Sequence, residues 1–258
     1  MRVALFIPCY IDQLYPDVGF ACLELLEAYG VQVEVPAGQT CCGQLLTNRG
    51  ALRAARPLAR NFQGAFAGYD HVVCPSGSCA AALRRQPESL GDASGASSSV
   101  VELCQFLVSG LGAPPRPPAF PHRVALHESC HALRELGLGR PSELGPGHGL
   151  PENPARRLLR GVPEIRLVEP ARSDECCGFG GSFSVVEPDV SVRMGNDRIL
   201  DFERAGAQVV TSTDMSCLMH LSGLMRRQGR PLTVMHISQV LVGRTPPSAP
   251  LLPRTEPE

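Results

Sequence analysis

The chain has 258 residues, with 25 acidic and 24 basic side chains for a formal net charge of −1. That length suits two domains of about 120 residues, each able to build a core without disulfide support. The balanced charge leaves no basic footprint for nucleic acid, and no apolar run reaches membrane-spanning length.

In chain order, Val3 to Ile7 predicts a first buried strand, too short for a signal peptide and followed at once by Cys9 and Asp12. A helix is predicted from Asp17 to Tyr29, then a strand from Val31 to Val35. Pro36 and Gly38 open a loop carrying Cys41-Cys42-Gly43. An alanine- and arginine-rich helix from Ala51 to Phe66 leads to a strand at His71 to Val73. Pro75-Ser76-Gly77-Ser78 reads as a turn before Cys79. The second half repeats the order with strands at Val124 to His127, Ile165 to Val168 and Val209 to Thr211, a helix from Pro188 to Arg204, a strand at Thr233 to Met235 and a helix from Ile237 to Val242. Gly110 to Pro121 is rich in proline and glycine and connects the halves. Gly137 to Pro154 is an insertion, read as a surface loop or a lid. The tail from Arg244 on has five prolines and few anchors, which predicts disorder.

The halves are alike in detail. Arg2-Val3-Ala4-Leu5 stands before Cys9 as Arg123-Val124-Ala125-Leu126 stands before Cys130, and Glu102 to Leu107 answers His236 to Leu241. Val72-Val73 aligns with Val209-Val210, Cys74 with Thr211 and Cys104 with Ser238. The self-similarity predicts an α/β chain of two tandem duplicated repeats, each a small sheet flanked by helices. The boundaries are residues 1–109, a linker at 110–122, residues 123–243 and a disordered tail at 244–258.

The cysteines follow the duplication. One quartet is Cys9, Cys41, Cys42 and Cys79, with 31 residues before the adjacent pair and 36 after it; the other is Cys130, Cys176, Cys177 and Cys217, with 45 and 39. Adjacent cysteines bridge each other poorly, whereas neighbouring thiolates can grip one metal group together. Eleven cysteines without an export signal indicate a reducing cytoplasm, where such spacing favours metal over disulfide. Each cysteine falls where a strand ends, and in an alternating α/β sheet those ends share one edge. Cys22, on an apolar helical face, and Cys104 read as buried structural thiols; Cys74 is the weaker ligand candidate because it ends a strand near Cys79. Gly43 and the Gly178-Phe179-Gly180-Gly181 run let backbone N–H groups approach sulfur, or simply make tight turns. His127 and His131 flank Cys130 as candidate partners of the site, against the blander reading that the fold merely places them there. No Gly-x-Gly-x-x-Gly fingerprint follows a predicted strand, so flavin or nicotinamide chemistry lies elsewhere.

Five stretches carry a family resemblance: Gln39-Thr40-Cys41-Cys42-Gly43-Gln44, Pro75-Ser76-Gly77-Ser78-Cys79, His127-Glu128-Ser129-Cys130-His131, Glu175-Cys176-Cys177-Gly178-Phe179-Gly180-Gly181 and Asp214-Met215-Ser216-Cys217-Leu218-Met219. In these the chain resembles the cysteine-rich CCG-domain proteins, and in particular the lactate utilization protein A family, from about Arg2 to Val242. The heterodisulfide reductases and the iron-sulfur component of glycolate oxidase share the domain. The resemblance implies a cytoplasmic iron-sulfur electron-transfer component of a complex that oxidises L-lactate to pyruvate, with lactate utilization proteins B and C as partners. The alternatives are a heterodisulfide-reductase-like or glycolate-oxidase-like redox subunit, or a zinc-stabilised scaffold. The widest form of the motif ends in Cys-x-x-Cys, but here the earlier position holds Ser76 in one repeat and Asp214 in the other. Four thiols per repeat make an ordinary [4Fe-4S] cluster the simpler assignment, with zinc in one repeat as the alternative. Asp214 is then either a weaker oxygen ligand or the N-cap of a helix.

Overall fold

The computed structural model describes residues 1–90, 96–109, 111, 116–145 and 152–247, with the backbone alone at 86–90. The first half runs β1 (Val3–Leu5), α1 (Cys9–Leu14), α2 (Pro16–Ala28), β2 (Val33–Glu34), α3 (Gln44–Asn48), α4 (Leu52–Phe66), β3 (His71–Cys74), α5 (Gly77–Leu90), β4 (Val100–Glu102) and α6 (Leu103–Ser109). The second runs β5 (Arg123–Leu126), α7 (Cys130–Arg134), α8 (Pro154–Arg160), β6 (Arg166–Leu167), α9 (Phe183–Val186), α10 (Pro188–Arg204), β7 (Val209–Ser212), α11 (Met215–Arg227), β8 (Thr233–His236) and α12 (Ile237–Leu241). Pro16 and Pro188 occupy first helical positions, where a missing N–H costs nothing.

Each half is a four-stranded parallel sheet with helices against it, in the orders β2-β1-β3-β4 and β6-β5-β7-β8. Chain direction across each sheet reverses between its two central strands. At that point the loops leaving β1 and β3, or β5 and β7, diverge and open a crevice at the carboxyl edge. Cys9 follows β1 and Cys79 follows β3; Cys130 follows β5 and Cys217 follows β7.

The duplication is borne out, with one correction of register. Ala4 pairs with Val72 as Ala125 pairs with Val210, and Cys74 pairs with Glu102 as Ser212 pairs with His236. Val72 therefore answers Val210, and Cys74 answers Ser212 where the sequence alignment sets Thr211. The strand ladder fixes this, because a one-residue slip would turn every side chain of the strand to the other face. The two-residue β2 and β6 are shorter than their apolar runs suggest.

The halves share a core. Val3, Leu5, Leu25, Leu26 and Leu103 of the first half belong to one buried cluster with Val124, Leu126, Leu159, Leu218 and Ile237 of the second. Burial of such side chains contributes about 1.5–3 kcal/mol each. The α2 helix packs on α12 and α6 on α8, while α5 packs on α7 and α1 on α11. Each contact thus recurs with the halves exchanged, an approximate two-fold relation that turns both carboxyl edges toward one another.

Of the connection between the halves, residues 110 and 112–115 lie outside the described residues; Phe120 is buried and its N–H donates to Pro163 O at 2.9 Å. In the insertion, residues 146–151 lie outside them, and Asp174 ties down the part before by accepting from Ser142 N and Arg134. In the tail, Arg244 pairs with Glu24 at 2.6 Å, and residues 248–258 lie outside the described residues.

Candidate metal centre

The eight quartet cysteines line a single cleft between the halves, closed at its rim by Tyr10, Leu45 and Phe179. Within the first quartet the sulfurs touch in a chain. Cys9 Sγ lies 3.9 Å from Cys41 Sγ, Cys41 contacts Cys42, and Cys42 contacts Cys79. The second quartet repeats the order, Cys130 to Cys176 to Cys177 to Cys217. No disulfide links any of the eleven cysteines.

Local structure explains the convergence. Cys9 and Cys130 open α1 and α7, while Cys79 and Cys217 sit in the first turns of α5 and α11. A helix start favours negative charge on a thiolate there. The adjacent pairs lie on loops that end in left-handed glycines, Gly43 at φ 81° and Gly178 at φ 87°. That turn brings Gly43 N–H to Cys41 Sγ at 3.4 Å and Gly178 N–H to Cys176 Sγ at 3.3 Å, and Phe179 N–H reaches Cys177 Sγ at 3.5 Å. The expected approach of backbone N–H groups to sulfur is therefore present in both repeats. At Gly178 a Cβ would also lie 2.7 Å from Met194 Cβ and 2.7 Å from Ser191 O.

The charges sort in parallel. Contacts from Cys42 and then Cys9 draw the Cys41 pKa down to about 2, and contacts from Cys130 and then Cys177 draw Cys176 down to about 2. The neighbours move the other way: Cys41 and burial push Cys9 up, and Cys176 and burial push Cys130 up. The contacts within each quartet favour the thiolate form of Cys41 or Cys176, and a soft metal would displace the protons of its thiol ligands.

The other candidates take different places. Cys74 is fully buried, its thiol 3.5 Å from Ser76 O, and it does not line the cleft. Cys22 and Cys104 are buried in the shared core. Asp214 occupies the N-cap position of α11 without capping it. Its carboxylate crosses to the other half instead, accepting from Ser76 Oγ at 2.6 Å, from Ser78 Oγ at 2.7 Å and Ser78 N–H at 2.9 Å, and it takes a fourth bond from Ser129 Oγ of its own half. Ser76 Oγ also accepts from Cys79 N–H at 3.1 Å, the bond of an N-cap serine. The expected turn at 75–78 is therefore the capped start of α5. His131 Nδ1 is 3.4 Å from Cys130 Sγ, and His127 is buried beside Cys177 and Cys217. Burial and then the Arg198 charge push the His127 pKa down to about 3, which leaves the imidazole neutral.

Some supporting residues were given no role by the sequence. Gln39 bridges the end of β1 to the first pair's loop, accepting from Ile7 N–H at 2.8 Å and donating to Leu5 O at 3.2 Å. In the second half, Asp201 on α10 accepts from Ala171 N–H at 2.9 Å and Arg172 N–H at 3.0 Å, while the buried Arg198 donates to Arg172 O at 2.6 Å. Together they steer the segment that enters Cys176. A glutamine in a loop or an aspartate on a helix gives no warning of such long-range bonds.

Comparison with known proteins agrees with this geometry. The cysteine-rich domain family model matches twice, at residues 3–84 and 124–222. The two matches make this a tandem cysteine-rich CCG-domain protein. Lactate utilization protein A of an Exiguobacterium species is 38% identical over 93% of this chain and 96% of its own length. Its namesake in Geobacillus kaustophilus is 38% identical over 95% of this chain and 100% of its own. The chain belongs to the lactate utilization protein A family. A solved LacI family transcriptional regulator from Arthrobacter, in complex with lactose, covers 91% of this chain and 76% of its own at 14% identity and a TM-score of 0.21, a likeness that carries no argument. Among the described residues no helix is long and apolar enough to cross a membrane.

Proposed function

We propose that this protein is the iron-sulfur electron-transfer component of a cytoplasmic complex that oxidises L-lactate to pyruvate, acting beside lactate utilization proteins B and C. The name shared by its relatives supports the pathway. The observation that carries the chemistry is the convergence of eight thiols, as two contacting quartets, on one cleft. Soft, negatively charged sulfur with backbone N–H donors behind it suits iron-sulfur groups. In this reading residues 1–109 and 123–243 form one domain each. Cys9, Cys41, Cys42 and Cys79 hold one [4Fe-4S] cluster, and Cys130, Cys176, Cys177 and Cys217 hold the other.

A bound cluster supplies a one-electron store. The chain's own residues hold it, present N–H groups to its thiolates and shield it with Tyr10 and Phe179, whose rings meet edge to face at 5.9 Å across the rim. One-electron groups are poor first acceptors of a hydride, so lactate chemistry belongs to a partner. Because one cleft serves both quartets, reduction of a disulfide lodged between them is the second reading. Iron, labile sulfide and zinc are measured in anaerobically purified protein; zinc without sulfide turns the reading to a scaffold. An anaerobic dye-reduction assay with L-lactate, glycolate and a disulfide then compares the isolated chain with its mixture with partners. Lactate oxidation confined to the mixture fits the relay. Robust oxidation by the isolated chain overturns it, and disulfide turnover without lactate activity selects the second reading.

A further inference from the structure

The two quartets are not equal, and the difference lies one layer beneath them. Phe6 and His127 are equivalent: each follows the strand before a first cysteine, and each donates its N–H to the neighbouring strand, Phe6 to Val73 O at 2.9 Å and His127 to Thr211 O at 2.7 Å. Phe6 packs into an aromatic group with Phe62 and Phe66, ring centroids 5.9 and 5.7 Å away. His127 is 1% exposed and meets Phe202 edge to face at 6.2 Å. Neither of its ring nitrogens has a hydrogen-bond partner. A buried imidazole left so forfeits both a donor and an acceptor, a cost that asks for a partner group.

The vacant nitrogens do not face an apolar wall. One ring nitrogen of His127, Cys177 Sγ and Cys217 Sγ all lie within 4.8 Å of one another, and all three residues are buried. That span brings the three atoms near the reach of one metal atom, whose bonds are about 2.0–2.1 Å to nitrogen and about 2.3 Å to sulfur, and a small closing movement completes it. We propose that His127 is a nitrogen ligand of the metal group in the second site, beside Cys177 and Cys217, whereas the first site is held by sulfur alone. This rests on the metal-centre reading above. The nitrogen would add to the four thiols of that site a donor for which the first site, with Phe6 in the same place, has no counterpart. Arg198, its guanidinium 4.1 Å above the same Phe202 ring, is paired with Asp201 at 2.7 Å, so the layer behind His127 carries no net charge. The two sites therefore differ in their donor sets.

The test needs no variant at first. Chain labelled with 15N-histidine and unlabelled chain are reconstituted anaerobically with iron and sulfide, reduced, and compared by pulsed EPR. Zinc-loaded chain is examined by X-ray absorption at the zinc edge. The expected result is a strongly coupled or directly bound nitrogen in wild type. It is retained in His131→Phe, lost in His127→Phe, and restored when imidazole is added to His127→Gly. The reduction potential of one centre should shift in His127→Phe while the other stays put. Metal-loaded wild type with sulfur ligands alone, or a nitrogen signal that survives His127→Phe, overturns the assignment while leaving the metal-centre reading intact. A folded wild-type chain that takes up no metal overturns both.

Discussion

Ser78 gives Asp214 both its hydroxyl, at 2.7 Å, and its backbone N–H, at 2.9 Å, so a carboxylate of the second half caps a helix of the first. Asp214 is wholly buried, and the serine groups that donate to it are buried as well. Asp214→Asn removes the charge and one acceptor oxygen, so the serine hydroxyls must turn to accept or lose their bonds. The expected loss is about 2–4 kcal/mol of unfolding free energy, read as a lower urea midpoint. Ser129→Ala removes one of the four bonds and should cost about 1 kcal/mol. An Asp214→Asn chain as stable as wild type would contradict the bonding described.

Metal content should divide the cysteines. Cys42→Ser and Cys177→Ser each remove the central member of a sulfur chain and should strip or destabilise one group, whereas Cys104→Ser should retain wild-type metal. Cys74 is the discriminating case: it lies behind the cleft with its thiol on Ser76 O. If Cys74→Ser lost as much iron as Cys42→Ser, four thiols would not suffice for the first site and a five-thiolate cluster would be the better description.

Two left-handed glycines offer a controlled pair. Gly178 and Gly38 have φ of 87° and 76°, but a Cβ at Gly178 would strike Met194 and Ser191 while one at Gly38 meets nothing within 4 Å. Gly38→Ala should cost about 1 kcal/mol from backbone strain alone. Gly178→Ala must also displace α10, so it should cost several times that and reduce metal uptake at the second site. Thermal melts and metal analysis of the two variants check this.

Stability should fall on both sides of a narrow pH range. Burial raises the Glu102 pKa to about 7, so the folded chain holds a proton that the unfolded chain releases above about 4.5. Stability from this group is lost as pH rises from about 4.5 through 7. Burial lowers His236 to about 4, leaving it neutral when folded but protonated when unfolded, so its contribution is lost as pH falls from about 6.5 through 4. Glu102→Gln should flatten the alkaline slope, worth on the order of 2–3 kcal/mol, and leave the acid slope. Urea midpoints from pH 4 to 8 measure both.

Much of the fold is legible in the sequence because the duplication doubles each signal. The alternation of strands and helices, the cysteine quartets and the glycines behind them follow from local spacing, and α10 has the bounds its pattern predicts. Sequence reasoning fails where a neighbour in space decides. The start of α5 reads as a turn because part of its capping comes from Asp214, 136 residues beyond Ser78. Nothing in the pattern of α10 singles out Arg198, although it is buried against Phe202.

Ser76 and Asp214 hold the same place in the two repeats and touch each other at 2.6 Å. In an assembly of two identical chains, a residue on the symmetry axis meets only its own copy. Serine would face serine there, and two buried aspartates would repel. A donor matched to an acceptor at that point can exist only once the two copies are free to diverge, so this bond postdates the duplication and now binds the repeats to a shared fate.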